Sequence, residues 1–479
     1  MAALVVLVSA TLFLAFALAV YLRKRRYPEK SYLNNAVNLM LAPARLLGLG
    51  PFKNGALTMK NALKYAVKKL KKQNLTDFGS LDFAAAYDAI LSTETQTRQQ
   101  YTNLGYISGR IELNMTMVRR LKFVDYLKKV PAVAAVPVPS PVFVMGLPRT
   151  GTTFLHRLLS LDAKRCRAPL LWELLAPVPA PMSTPSPAQA GALEEHAEDR
   201  KKRADFIKKL IATRRKMGDK ALEHIHEVGY DLPEECFLAL SDSVPCLLQF
   251  LYANYMNPDV AMPMLKTHMK GAYAWYKQYL QLLSFQIGET QASRCWMLKC
   301  PVHLFYPTEI ASAFPDAKLI WTHRHPISAV PSMCSLLKSI HQMYYETECR
   351  DDHALGRNIL RVSEDLLVQA PLDIKDSRLP CADVVYNSLI ADPIGTVKGI
   401  YQQFGWECTP EYERALQAYL EGNRLEREAL KLKKLKQKPG KSEVMHSYTP
   451  EEFGMTKEEL CSGGYAAYIK KYSIPLSTN

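Results

Sequence analysis

Residues 142–162 read VFVMGLPRTGTTFLHRLLSLD, a short β-run, a glycine-spaced turn and an apolar helical stretch. Gly146 and Gly151 have the spacing of a phosphate-binding loop, GxxxxGK[ST], but Thr152 stands where the lysine belongs and Thr153 follows it. Backbone N–H groups of such a loop, with a helix N-terminus behind them, hold a phosphate without sequence-specific side chains. The missing lysine is the group that ordinarily reaches the β- and γ-phosphates. Its loss argues against hydrolysis of a nucleoside triphosphate and suits a donor with a single 5′-phosphate carrying another group. Arg149, inside the loop, supplies a fixed positive charge instead.

A second anion anchor is expected at Arg324 in IWTHRHPISAVPS, just beyond a strand end, where ligands of open α/β sheets bind. Ser332 follows eight residues later on the next helix, and the two side chains can clamp a phosphate by charge-assisted hydrogen bonds. Neither HExxH nor a cysteine–histidine set with zinc spacing occurs, so no metal is expected. His224 and His226 fit solvated side chains.

Strands are expected at 142–145, 294–298, 317–322 and 381–385, each leading into a helical stretch. That alternation indicates an α/β fold with a P-loop-like parallel sheet flanked by helices. The link at 130–141, VPAVAAVPVPSP, is expected to be extended, and 176–190, rich in proline, alanine and serine, to be a surface loop. The TPEE at 449–452 fits a capping box with proline at the first helical position. Residues 245–285 are rich in Leu, Tyr, Met and Trp. They fit either core or a lid over an apolar acceptor.

The N-terminal part must be explained separately. Residues 2–22 carry no charge, long enough to cross roughly 30 Å of hydrocarbon as a transmembrane helix. RKRR follows at 23–26, after the apolar run, whereas a cleavable signal peptide has its charge before it. The positive-inside rule then puts RKRR and the rest of the chain in the cytosol, with a luminal orientation as the alternative. Three segments are expected: an anchor at 1–22, a helical, basic lead-in with its proline-rich link at 23–140, and a catalytic domain at 141–479. The basic stretch 60–73 fits a solvated helix face or contact with anionic lipid. Asn74 and Asn114 open formal glycosylation motifs, relevant only on a luminal side.

The 479 residues are 48% apolar and carry a net charge of +15. That balance favours anionic partners such as a nucleotide or a membrane surface. The basic residues are scattered and no nucleic-acid reader motif occurs, so nucleic acid is not expected as a partner. Ten cysteines show no CxxC and no regular framework, in keeping with a reducing compartment.

These motifs together resemble the sulfotransferase superfamily, in its branch with GLPRTGTT and THRHP. The resemblance covers about 142–454 and rests on GLPRTGTT, PLLWEL (169–174), HEVGYDLPEEC (226–236), LKCPVHL (298–304), THRHP (322–326), YNSLIADP (386–393) and HSYTPEEFG (446–454). It implies transfer of a sulfuryl group from 3′-phosphoadenosine-5′-phosphosulfate, a co-substrate used without metal, to a hydroxylated small molecule. It assigns Arg149, Thr150, Gly151, Thr152 and Thr153 to the 5′-phosphosulfate, Arg324 and Ser332 to the 3′-phosphate, and Tyr386 to the neighbourhood of the adenine. For the base, His303 is the first choice because histidine titrates near neutral pH and resembles the histidine of a lysine–histidine pair in cytosolic relatives. Lys299 is the expected charge stabiliser, shared with Arg149. A core histidine is the plain alternative for His303. The rival base is Glu234 or Glu235, for which a helix first turn is the plain alternative.

The chain departs from the family at His325, where an aspartate is common. It also lacks the arginine-lysine-glycine segment, which basic residues at 431–441 would have to replace. His446 is a further candidate for ligand contact. The acceptor class expected is a sterol, phenol or lipid alcohol, and the setting an endoplasmic reticulum membrane with the Golgi lumen as alternative. Other readings are a P-loop small-molecule kinase, a glycan or protein sulfotransferase, or a non-catalytic nucleotide-binding membrane protein.

Overall fold

The computed structural model describes residues 2–27, 30–52, 57–80, 82–97, 100–180, 190–216, 228–245, 258–288, 294–435 and 448–476. Several expectations therefore fall outside the described residues: His224, His226, His446, most of the 176–190 loop, and 246–257 of the aromatic-rich stretch. The side chains of 431–441 fall outside them too.

Among the described residues, five α-helices precede the sheet: α1 (Ala2–Arg26), α2 (Tyr32–Leu46), α3 (Met59–Lys69), α4 (Asp82–Thr97) and α5 (Asn103–Lys129). Then come β1 (Val142–Met145), α6 (Thr152–Leu159), β2 (Cys166–Arg167), α7 (Leu171–Leu175), α8 (Ala190–Lys216), α9 (Phe237–Leu240) and α10 (Pro258–Phe285). The chain continues through β3 (Cys295–Lys299), α11 (Pro307–Ala313), β4 (Lys318–His323), α12 (Pro326–Tyr344) and α13 (Asp352–Ser377). It finishes with β5 (Cys381–Val385), α14 (Tyr386–Ala391), α15 (Pro393–Gln403), α16 (Pro410–Leu435) and α17 (Gly463–Lys471).

The five strands form one sheet in the order β2-β3-β1-β4-β5, and every neighbouring pair is parallel. All strand C-termini thus lie on one edge, and the loops that leave them share it. The period of two in a strand sends alternate side chains to opposite faces. Phe143, Met145, Leu298, Leu319 and Trp321 enter one core cluster, under α10, α11, α13 and α17. Val142, Val144, Met297, Ile320, Ala382 and Val384 enter the other, under α6, α15 and α16. A third cluster joins α3, α4 and α5. Helix α5 belongs to two of them, with Leu113 and Met117 in the N-terminal cluster and Phe123 and Val124 in the sheet core.

Four expectations change. The proline-rich link is not wholly extended, because Pro131–Ala135 coils into a 3-10 turn that buries Val133 under α10. A two-residue strand, β2, joins the edge of the sheet and was too short for its pattern to be seen. The TPEE segment gives only a 3-10 turn, Glu451–Phe453, with the Glu452 N–H donating to Thr449 Oγ1 at 3.4 Å. The expected transmembrane helix is a helix through Arg26, but the side chains of 2–12 lie outside the described residues. Among the described residues no helix is long and apolar enough to cross a membrane.

RKRR is tied to the rest of the molecule. Arg23 pairs with Glu346 at 3.1 Å, and Arg26 with Glu348 at 2.5 Å. The 60–73 stretch forms α3 and a 3-10 turn, with Ala62 and Ala66 buried and Lys60, Lys64 and Lys68 exposed. Asn74 sits exposed at a left-handed turn, whereas Asn114 lies within α5, two residues before the buried Thr116.

Candidate active site

The turn from β1 to α6 has three left-handed residues: Gly146 at φ 152°, Arg149 at φ 71° and Gly151 at φ 89°. A Cβ on Gly146 would sit 2.4 Å from Thr322 Oγ1, so only glycine lets the loop close on β4. Arg149 has a Cβ and holds the left-handed region anyway, strain of a kind that clusters at ligand sites. Thr150 is fully occupied inside the loop: its Oγ1 bonds Leu147 O and Thr322 Oγ1, each at 2.7 Å. It fixes the loop's shape and turns away from any ligand. No side chain caps the N-terminus of α6. Its first N–H groups, from Thr152 and Thr153, are thus available to an anion.

One cationic group forms on the β4 side. Arg149 Nε donates to Ser332 Oγ at 3.2 Å, and Arg324 Nη1 donates to Arg149 O at 2.8 Å. The Arg324 guanidinium lies 4.3 Å from the ring centroid of Tyr386, an attractive cation–π distance. Tyr386 also backs the loop, since a Cβ on Gly151 would come within 3.0 Å of its ring. Arg324 Nε is buried with no protein partner. A buried donor without an acceptor costs on the order of 1–3 kcal/mol, so this nitrogen fits an absent anionic ligand. Arg149, expected beside the 5′-phosphosulfate, is thus bonded to Arg324 and Ser332.

A second group forms on the β3 side. Lys299 is the last residue of β3, on the face that α6 covers, and its Nζ donates to Thr153 Oγ1 at 3.3 Å. Its ion pair with Glu235 measures 2.6 Å. Burial pulls the Lys299 pKa down, but the charges of Glu235 and Glu234 outweigh it and the net direction is up. The lysine therefore stays an ammonium. Its side chain is 1% exposed while that of Glu235 is 18% exposed, so solvent and substrate reach the pair through the carboxylate.

The backbone explains how Glu235 arrives there. Leu171 N donates to Leu232 O and Glu234 N to Pro169 O, which zips the DLPEEC segment onto PLLWEL. Cys236 N then donates to Lys299 O at 3.0 Å, pinning the segment to the end of β3. Glu234 folds back on its own chain, accepting the Glu235 N–H at 2.9 Å.

His303 is not brought into either group. It lies in the 3-10 turn Pro301–Phe305 and is wholly buried. Its ring meets Phe143 edge-on at 4.9 Å and accepts or donates at Nδ1 to Tyr273 OH at 2.8 Å. Phe143 points into the core opposite the α6 face, so His303 lies across the sheet from Lys299. Burial, then the Lys299 charge, lowers its pKa to about 3. His325, the departure from the family pattern, caps α12: its Nδ1 accepts the Ile327 N–H at 3.4 Å. Burial lowers its pKa, which keeps the Nδ1 lone pair free to accept. Sequence reasoning missed Thr322, which ties the loop to β4, and Tyr273, which accounts for the histidine's Nδ1 while its Nε2 is buried without a protein partner. Neither has a local signal, because each acts across the fold. No group of three or more metal-ligating side chains occurs among the described residues.

A strained glycine turn, an uncapped helix start and cations at the C-terminal edge of a parallel sheet define an α/β protein with the geometry of an anion site at that edge. The comparisons with known proteins then fix the family. The chain belongs to the sulfotransferase family, whose members transfer sulfuryl groups; the match, to the description "Sulfotransferase family", covers residues 141–410. It is 25% identical over 303 residues to omega-hydroxy-beta-dihydromenaquinone-9 sulfotransferase Stf3 of Mycobacterium bovis and of Mycobacterium tuberculosis. That stretch is 58% of this chain and spans 66% of the relatives' length. Among solved structures, sulfotransferase STF9 from Mycobacterium avium superposes with a TM-score of 0.67 at 24% identity, covering 88% of this chain and 97% of that one. Sulfotransferase STF1 from Mycobacterium tuberculosis gives 0.61 at 25% identity, covering 86% and 99%.

Proposed function

We propose that the protein moves a sulfuryl group from 3′-phosphoadenosine-5′-phosphosulfate to the hydroxyl of a small, apolar acceptor: a sterol, phenol or lipid alcohol. The observation that carries this reading is the Lys299–Glu235 pair at 2.6 Å, with Lys299 also bonded to Thr153 at the first turn of α6. It sets a carboxylate and an ammonium side by side at the anion-holding end of a helix. The donor supplies the sulfuryl group and leaves as a bisphosphorylated nucleotide.

In this reading, Gly151, Thr152 and Thr153 hold the 5′ end through backbone N–H groups. Arg324, Ser332 and Arg149 hold the 3′-phosphate, with Tyr386 beside the base. Lys299 stabilises charge on the departing oxygen. Glu235 takes the acceptor's hydroxyl proton; it is the partly exposed carboxylate, whereas His303 is buried on the far side of the sheet. General-base assistance of this kind contributes roughly 10²–10⁴-fold.

The acceptor class draws support from the relative named for a hydroxylated menaquinone. The apolar run at 2–22 supports an anchor, as do the exposed Phe13, Leu14 and Leu18 at its described end. The positive-inside rule favours a cytosolic catalytic part on the endoplasmic reticulum. Calorimetry with 3′-phosphoadenosine-5′-phosphate beside ATP and magnesium tests the donor. Binding of the first and not the second is expected; silence toward the bisphosphate at millimolar concentration would sink the reading. Transfer of labelled sulfate to a panel of alcohols, phenols and glycans then reads the acceptor.

A further inference from the structure

Helix α2 packs Leu41 and Ala44 against the N-terminal cluster, yet it also buries polar side chains and exposes apolar ones. The side facing the protein carries Asn35 and Asn38, 0% and 1% exposed. Asn35 donates to Ser31 O at 3.1 Å, with its Oδ1 buried and without a protein partner, and Asn38 accepts the Leu104 N–H at 2.8 Å. The outward side carries Tyr32, Leu33, Met40 and Leu47, the last just past the helix end, with Met40 and Leu47 each 67% exposed. At 100° per residue these four fall in one stripe roughly 100° wide, away from both asparagines. A helix resting on a water-soluble core shows the reverse arrangement.

The surroundings share this character. Leu46, the last residue of α2, and Leu49 beyond it are also exposed, and α1, packed against α2, exposes Phe13, Leu14 and Leu18. No acidic residue lies in α2. The next helix, α3, packs on α5 as α2 does and exposes Lys60, Lys64 and Lys68. An apolar stripe with neighbouring lysines matches acyl chains beneath anionic head groups.

We infer that α2 lies in the head-group layer of an anionic lipid bilayer, with Tyr32, Leu33, Met40 and Leu47 turned toward the acyl chains. The surface does not depend on residues 2–22 spanning the membrane, nor on the reaction proposed above. It also sets a distance. Lys30, next to the start of α2, donates to Tyr345 O at 3.1 Å, at the end of α12. Ser332 lies thirteen residues before Tyr345, about 20 Å along the helix axis at 1.5 Å per residue. That span along α12 separates the start of α2 from the candidate active site.

The test uses the full chain on vesicles of phosphatidylcholine and phosphatidylserine that contain phosphatidylcholine with a photoactivatable diazirine in its acyl chain. After irradiation, mass spectrometry locates the lipid adducts. Adducts on residues 32–47 are expected, and adducts confined to 2–22 would overturn the inference. So would cross-links from 32–47 to the same segment of a second copy in place of lipid. In a Met40→Glu, Leu47→Glu variant, adducts on 32–47 should fall at least fivefold. An unchanged Tm and circular-dichroism spectrum would certify its fold. Undiminished labelling in that folded variant would equally reject the surface.

Discussion

The turn after β1 and the turn after β3 begin alike and end differently. Each leaves a buried strand at the same edge of the sheet, and each carries residues that could do chemistry. After β1, the left-handed backbone at Gly146, Arg149 and Gly151 keeps the chain tight and aims N–H groups and Arg149 at the crevice. After β3, only Lys299 does so, because the period of two places it with Met297 on the α6 face. Four residues later the 3-10 turn has carried His303 across to the other core, against Phe143 and Tyr273. Lying past a strand end is thus a weak guide to function. The face on which a residue leaves the strand is the stronger one.

The sharpest way to break this comparison is a pair of substitutions. Glu235→Gln should lower kcat by roughly 10²–10⁴-fold, the usual worth of a general base, with nucleotide affinity nearly unchanged. His303→Gln in folded protein should leave kcat within about twofold. Steady-state kinetics beside calorimetry reads both, and a reversed ranking would return the base to the histidine. Next in size, Arg324→Ala should weaken 3′-phosphoadenosine-5′-phosphate by about 10–100-fold, since hydrogen bonds to charged groups are worth about 1.5–3 kcal/mol each. An unchanged Kd would detach Arg324 from the ligand.

The acid limb of stability sharpens the same contrast. His303 has its pKa lowered from 6.5 to about 3 by burial, and His156, bonded through Nε2 to Met297 O, also to about 3. Between those values the unfolded chain binds protons that the folded chain excludes. Their contribution is therefore intact above about pH 6.5 and is lost as pH falls toward 3. At pH 5 each such histidine costs about 2 kcal/mol. Thermal melts between pH 7 and 5 should fall less steeply for His303→Gln than for the parent. Equal slopes would mean that the ring is not buried neutral. The smallest effect belongs to the α12 cap: His325→Ala should cost about 1 kcal/mol and His325→Asp much less, read as Tm at neutral pH.

Much of this was legible beforehand. The strand runs at 142–145 and 381–385 match β1 and β5, and those at 294–298 and 317–322 lie one residue from β3 and β4. Their apolar, turn-bounded pattern is local. The glycine spacing told the loop's shape for the same reason. What escaped was set by partners distant in sequence. Glu235 is delivered by backbone bonds between 169–171 and 232–234, and Arg149 is turned toward Ser332, 183 residues away. Both were named as candidates, but nothing in their neighbours could show that Glu235 would pair with Lys299 or that Arg149 would stand beside Ser332. The two-residue β2 was too short to show a period at all.

Gly105, near the start of α5, has no room for a side chain: a Cβ there would lie 2.2 Å from Tyr344 O. Two long helices thus touch backbone to backbone, one from the lead-in and one from the part that carries the sheet. Any trimmed version that starts at residue 141 would peel Phe123 and Val124 off the sheet's own interior and bare Trp275 and Tyr279 beneath them. The first 140 residues are half of a wall, and whoever expresses only the other half should expect insoluble material.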